Sequence, residues 1–176
     1  MIVRPTSLPG VLRIDWRPHH DDRGFFARVF CSEELAAHGM PVTFEQSSLS
    51  SNIRKGTLRG MHFQADPHAE AKLVRCVRGS VFDVAIDLRE GSSTMGRWIG
   101  ETLSADNGVA LYVPPGFAHG FQTLEDGSDV LYQITPSFRP GLGQGVRWND
   151  PAFGIKWPIA SAILSERDAN YPDWTP

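Results

Sequence analysis

Apolar positions along this chain come in short runs rich in Val, Ile, Leu, Phe and Tyr. Glycine or proline cuts nearly every run off before a helical period can develop. Such runs, bounded by turn residues, read as strands. The pattern predicts strands over residues 11–16, 25–30, 57–64, 71–78, 80–88, 98–103, 110–113, 120–124 and 130–135. Turns fall at residues 19–24, Arg78-Gly79, Glu90-Gly91, Asp106-Asn107-Gly108, Pro114-Pro115-Gly116 and Glu125-Asp126-Gly127. One helix is predicted over residues 33–38, with Ser32 as its cap, Glu33 and Glu34 in its first turn and Gly39 as its stop. Residues 46–55 are polar and read as loop or edge strand. After Trp148 a tail rich in Pro and Trp wraps the strands and ends in a short turn or helix at residues 165–169. Many strands at regular spacing imply an all-β sandwich or barrel.

Alternation within the strands assigns faces. Lys72 shares a parity with Val74 and Cys76, which puts a lysine on an inward face, where one is unusual unless paired or functional. The alternative for Lys72 is a solvent-side position. Tyr132 shares a parity with Val130 and Ile134, so it too can point inward, and a packed aromatic with a satisfied hydroxyl is its plain reading. Arg59 and His62, three apart in one strand, should face opposite ways. Gly60 lies between them, and a glycine inside a strand often marks a bulge that re-aims side chains.

Length and charge narrow the class. A chain of 176 residues suits one domain, 1–176, with a substantial core. Net charge is 17 − 20 = −3, which argues against nucleic acid as the main partner. No apolar run is long enough to span a membrane, and the first residues lack the apolar stretch of a signal peptide. Cys31 and Cys76 form no metal spacing and read as free thiols of a reducing, cytoplasmic compartment.

The chemistry concentrates in Gly56-Thr57-Leu58-Arg59-Gly60-Met61-His62-Phe63-Gln64, with Lys72 ten residues after the histidine. A guanidinium, an imidazole and an ammonium so close together suit an anionic substrate and a proton transfer, although His62 alone could be a hydrogen-bonded core histidine. Pro114-Pro115-Gly116-Phe117-Ala118-His119 fits the second motif of the cupin superfamily, small β-barrels that often hold a metal. His62, Glu70 and His119 form a loose ligand set, and Gln64 stands where that reading needs a second histidine. Ser165-Glu166-Arg167-Asp168 is a helix-start pattern as well as a source of a carboxylate.

Taken together, these residues resemble the dTDP-4-dehydrorhamnose 3,5-epimerase family. The matching pieces are Asp22-Arg23-Gly24-Phe25-Phe26, the segment 56–64, Lys72-Leu73-Val74, the segment 82–89, Leu103-Ser104-Ala105, Gly116-Phe117-Ala118-His119-Gly120-Phe121, Arg147-Trp148-Asn149-Asp150-Pro151 and Ile163-Leu164-Ser165 with Asp168. The resemblance implies a cupin-like double-stranded β-helix (jelly-roll barrel) with a few short helices, working as a homodimer without metal or organic cofactor. It implies epimerisation at carbon 3, carbon 5 or both of a nucleotide-linked 4-keto-6-deoxy sugar through an enolate. By the same resemblance His62 is the base, Asp168 its partner, Lys72 the enolate stabiliser and Tyr132 the acid on the far face. Arg59 takes the diphosphate and His119 lines the site. Arg23 reaches the nucleotide from the neighbouring subunit, and Phe26, Arg28 and Gln46 belong to the substrate-binding set. Imidazole in general titrates near neutrality and suits abstraction of a proton acidified by a ketone. A guanidinium fork suits a diphosphate.

Three departures fall on the nucleotide side. Arg28 stands where the family commonly has Glu, Gln46-Ser47-Ser48 replaces Gln-x-Asn, and the segment 46–62 is one residue longer. Thymidine is the expected base, with cytidine and guanosine carriers open. A sugar-nucleotide ketoisomerase, a metal-dependent cupin and a non-catalytic binding module are the alternatives.

Overall fold

The computed structural model describes residues 1–41 and 43–175. Strands β1 (Ile2–Pro5) and β2 (Leu12–Asp15) come first, then a hairpin of β3 (Pro18–Asp21) and β4 (Gly24–Ala27), and helix α1 (Ser32–Ala36). The central strands are β5 (Gln46–Asn52), β6 (Leu58–Gln64), β7 (Ala71–Arg78), β8 (Ser80–Asp87), β9 (Trp98–Ser104), β10 (Val109–Val113), β11 (Phe117–Thr123) and β12 (Ser128–Thr135). A short β13 (Gly143–Gly145) and helix α2 (Glu166–Ala169) complete the described elements.

One sheet has the order β1-β2-β10-β7-β12-β5, the other β13-β6-β11-β8-β9, and every pairing within them is antiparallel. From β5 to β8, and again from β9 to β12, successive strands switch sheets. This is the jelly-roll arrangement of a cupin-like barrel. Val74, Cys76, Leu111 and Val130 from one sheet meet Val81, Ala85, Leu103 and Phe121 from the other in a shared core. Each sheet is also covered on its outside. Leu35 and Met40, in and just after α1, lie over Leu73, Ala110 and Tyr112. Val146, Phe153 and Trp157 of the tail cover Met61, Val84 and Ile86. Two-sided burial is why β10 reads as a continuous apolar run rather than an alternating one.

The structure revises several elements. Residues 19–21 are strand, so only Asp22 and Arg23 turn the β3–β4 hairpin, and β4 stops at Ala27 instead of reaching residue 30. Of the two readings of the polar stretch after residue 45, loop or edge strand, the structure has the edge strand, to Asn52, because β12 supplies its backbone partners. Strand β11 begins at Phe117, three residues before the expected start. The α1 cap is Cys31, not Ser32, and its side chain makes no capping bond. Ser165 does cap α2, its hydroxyl accepting from the Asp168 N–H at 3.1 Å.

Gly60 forms the expected bulge. Across β6 and β11 the register steps from His119 opposite His62 to Phe121 opposite Arg59, so three residues on β6 span two on β11. Gly60 has φ +144°, and a Cβ there would sit 2.6 Å from the Gly120 Cα. Only glycine fits this backbone. The extra residue resets the parity, and Arg59 and His62 both face the interior of the barrel.

Candidate active site

A cavity of about 420 Å³ opens between the two sheets. The five-stranded sheet contributes Arg59, His62 and His119; the six-stranded sheet contributes Lys72, Tyr132 and Gln46. Of the ten site residues predicted from sequence, these six line the cavity, and Asp168 stands directly behind His62. Arg23, Phe26 and Arg28 are not brought to it. Arg23 is 90% exposed at the hairpin tip and pairs with Asp21, Phe26 is 75% exposed, and Arg28 pairs with Glu34. The family's pattern placed them in a nucleotide subsite, and within one chain the β3–β4 hairpin carries them elsewhere.

His62 Nε2 lies 2.7 Å from Asp168 Oδ1. The carboxylate can only accept, so the imidazole proton sits on Nε2 and leaves Nδ1 with a free lone pair. Burial pushes the Asp168 carboxyl up. The hydrogen bond from His62, with the Gly60 N–H and Ser165, outweighs it and holds the group below the ordinary carboxylate value. The Gly60 bulge therefore serves the pair twice, by turning His62 inward and by presenting its amide to the carboxylate. The Tyr171 ring packs edge-on against His62 with centroids 5.7 Å apart and restricts its rotation.

Lys72 is 10% exposed and pairs with Glu70 at 2.8 Å. His119 Nε2 lies 2.8 Å from Oδ1 of the fully buried Asp83. Tyr132 packs edge-on against His119 at 5.9 Å. Burial, reinforced by the Asp83 charge and opposed by Arg59, raises the Tyr132 phenol well above its ordinary value. A phenol so placed stays protonated and can act as a donor. Arg59 Nε donates to Asn52 Oδ1 at 2.8 Å, and the Asn52 amide donates in turn to the carbonyls of Ser50 and Ser128. The guanidinium is thus oriented by a buried amide while its other nitrogens remain available. Gln46 lines the cavity, and its Oε1 accepts from the Phe138 N–H at 2.7 Å.

The three side chains of the metal-site alternative are each engaged with a different partner: His62 with Asp168, Glu70 with Lys72 and Gln64, and His119 with Asp83. They do not converge, and among the described residues no group of three or more His, Cys, Asp or Glu could hold a metal ion. Sequence reasoning missed Asp83, Asn52 and Tyr171. Asp83 carried a signal, since it shares a parity with Val81 and Ala85 and is a carboxylate among inward apolar residues. Asn52 and Tyr171 carried none, because their roles depend on contacts across long stretches of chain.

A cupin-like barrel whose cavity joins an imidazole–carboxylate pair, a buried ammonium and a protonated phenol defines an enzyme class. It suits proton transfer at carbon on an anionic substrate. The chain belongs to the dTDP-4-dehydrorhamnose 3,5-epimerase family of isomerases, whose sequence profile matches residues 5–175. It is 44% identical over 176 residues to the dTDP-4-dehydrorhamnose 3,5-epimerase of Salmonella typhimurium, covering 98% of this chain and 94% of that one. The crystal structure of the Bacillus anthracis enzyme with TDP and PPi bound is similar at TM-score 0.95 and 39% identity, covering 98% and 99% of the two chains. A Legionella pneumophila epimerase in complex with dTDP-4-keto-L-rhamnose is similar at TM-score 0.93 and 34% identity, covering 98% and 92%.

Proposed function

We propose that this enzyme inverts carbons 3 and 5 of a dTDP-linked 4-keto-6-deoxy sugar by deprotonation and reprotonation. The observation that carries the reading is His62, backed by Asp168 of α2, on one sheet with the partly buried, protonated Tyr132 on the sheet facing it. His62 Nδ1 takes the proton from carbon 3 or 5, and the C–H electron pair becomes the enolate with its charge on the carbon-4 oxygen. Lys72 and His119 stabilise that oxygen; one such donor is commonly worth about 3–4 kcal/mol. Tyr132 returns a proton to the opposite face and is itself reprotonated from solvent, to which His62 gives up the proton it took. Arg59 takes the diphosphate.

The active form is a homodimer. Its support is the exposure of Phe25, Phe26 and Val29 on and beside the β3–β4 hairpin, an apolar surface that a second copy would cover. In that assembly the partner's hairpin brings its arginine and phenylalanine to the nucleotide. Two free cysteines, one buried, fit action in a reducing cytoplasm.

Incubation with dTDP-4-keto-6-deoxyglucose in deuterium oxide should place deuterium at carbons 3 and 5 and yield the inverted sugar by NMR. CDP- and GDP-linked analogues should react more slowly. No deuterium with any of the three refutes the reading. Light scattering at micromolar concentration should give a dimer mass, and a monomer would count against the assembly.

A further inference from the structure

We propose that Glu70, held by Gln64, is the positioning residue that aims Lys72 at the enolate oxygen. This rests on the epimerase reading above. Lysine is a four-carbon chain with considerable rotamer freedom, and a point charge stabilises a developing oxyanion only if it is already in place. Something in the fold must hold it there.

Glu70 precedes β7 by one residue and shares the parity of Lys72, so both face the cavity. Its Oε1 lies 2.8 Å from the Lys72 ammonium, and its Oε2 accepts from Gln64 Nε2 at 3.1 Å. The two side chains of the ion pair are 7% and 10% exposed. Gln64, at the end of β6, is 2% exposed and fully engaged. Its amide nitrogen donates also to the His68 carbonyl at 3.1 Å, and its Oε1 accepts from the Arg139 N–H at 2.8 Å. The amide orientation is therefore fixed from three sides, which fixes the carboxylate, which fixes the ammonium.

Fold stability gives little reason for this arrangement. A buried ion pair is often no more stabilising than apolar side chains of the same volume, so a pair kept at a cavity wall fits a task in the cavity. The position where a metal-binding cupin would need a histidine is occupied here by the amide that anchors the relay.

The test is a double-mutant cycle of Glu70→Gln and Lys72→Met in the full-length enzyme. It reads kcat and KM for dTDP-4-keto-6-deoxyglucose, deuterium wash-in over hours, and Tm. Glu70→Gln should lower kcat about 10- to 100-fold, the scale of a misplaced catalytic group, with KM changed by less than about threefold. Combined with Lys72→Met it should lower kcat no further. Each single variant strands a buried charge and should lower Tm, and the double variant should recover part of that loss. A kcat for Glu70→Gln within about twofold of wild type, or a double variant slower than Lys72→Met by the full Glu70→Gln factor, overturns the proposal. Should Lys72→Met fail to fold, the kcat-against-KM split of Glu70→Gln decides alone. A wild-type enzyme without exchange would defeat the epimerase reading instead, and the Tm cycle would still decide whether Glu70 and Lys72 act as a unit.

Discussion

Replacing Asp168 by Asn should damage the enzyme more than replacing it by Ala. The carboxylate accepts from His62 Nε2 at 2.7 Å and stands behind the imidazole rather than in the cavity wall. Losing a hydrogen bond to a charged group costs about 1.5–3 kcal/mol, or roughly 10- to 150-fold in rate. That is the whole loss expected for Asp168→Ala. Asparagine adds a second fault. Its amide N–H can donate to Nε2, which drives the imidazole proton onto Nδ1, the nitrogen that must receive the substrate proton. A comparable tautomer reversal in a serine-protease triad costs about 10⁴ in kcat, so Asp168→Asn should lose between ~10² and ~10⁴. KM should change by less than about threefold for both, because neither variant alters the cavity lining. Deuterium wash-in followed by NMR measures rates over this whole range. An Asp168→Asn enzyme within about tenfold of wild type, or an Asp168→Ala enzyme slower than Asp168→Asn, would refute the tautomer argument.

Tyr132→Phe removes the donor but leaves the base. It should still exchange deuterium while inversion at one or both carbons drops about 10²- to 10⁴-fold; full inversion by this variant would contradict the assigned role. Gly60→Ala places a Cβ 2.6 Å from the Gly120 backbone at φ +144°, and should cost about 2–5 kcal/mol in urea unfolding. Asp87 is fully buried, and desolvation pushes its carboxyl up. Hydrogen bonds from Arg89, Thr94 and Ser92 outweigh that and hold it far below the ordinary value. A depressed carboxyl contributes stability above its unfolded value of about 3.9 and loses it as pH falls toward the folded value. Asp87→Asn should therefore lose about 2 kcal/mol or more at neutral pH. Its deficit against wild type should narrow below about pH 4, as denaturant titrations at several pH values would show. A deficit independent of pH would contradict the assignment.

Strand content was legible because glycine and proline punctuate it. The strands of the core lay close to their expected bounds wherever apolar runs met clear turns, as at Arg78-Gly79. Edges were only half legible, residues 46–55 reading as loop or edge strand with nothing to choose between them. Strand β5 is polar because its side chains line a cavity and face outward, so no apolar period marked it. Strand β3 hid for the same reason, its exposed polar residues reading as a turn before the expected strand at residue 25. At the site, parity alone brought Lys72 and Tyr132 inward, and Gly60 supplied the correction that parity needed for Arg59 and His62. The pairings Asp83–His119 and Asn52–Arg59 depend on register between strands, which a single sequence does not display. Glu70 was visible only as a member of the loose metal-ligand alternative, since a carboxylate near two histidines suggests a ligand until its actual partner is known.

His62 and Asp168 are 106 residues apart in the chain. The segment carrying Asp168 reaches β6 only through the tail, whose Val146 exchanges backbone hydrogen bonds with Met61 and whose Ile163 bridges Thr57. With β13 paired to β6 and Gly145 opposite His62, the loop left to close runs from there to Asp168, 168 − 145 = 23 residues; closing it costs about 3 kcal/mol of chain entropy, which the docking of Phe153, Trp157 and Trp174 on the outside of the sheet offsets. The dyad should therefore be among the last contacts made. During refolding from denaturant, far-UV ellipticity should return with the sheets, while turnover appears in a later phase that keeps pace with tryptophan fluorescence from the tail.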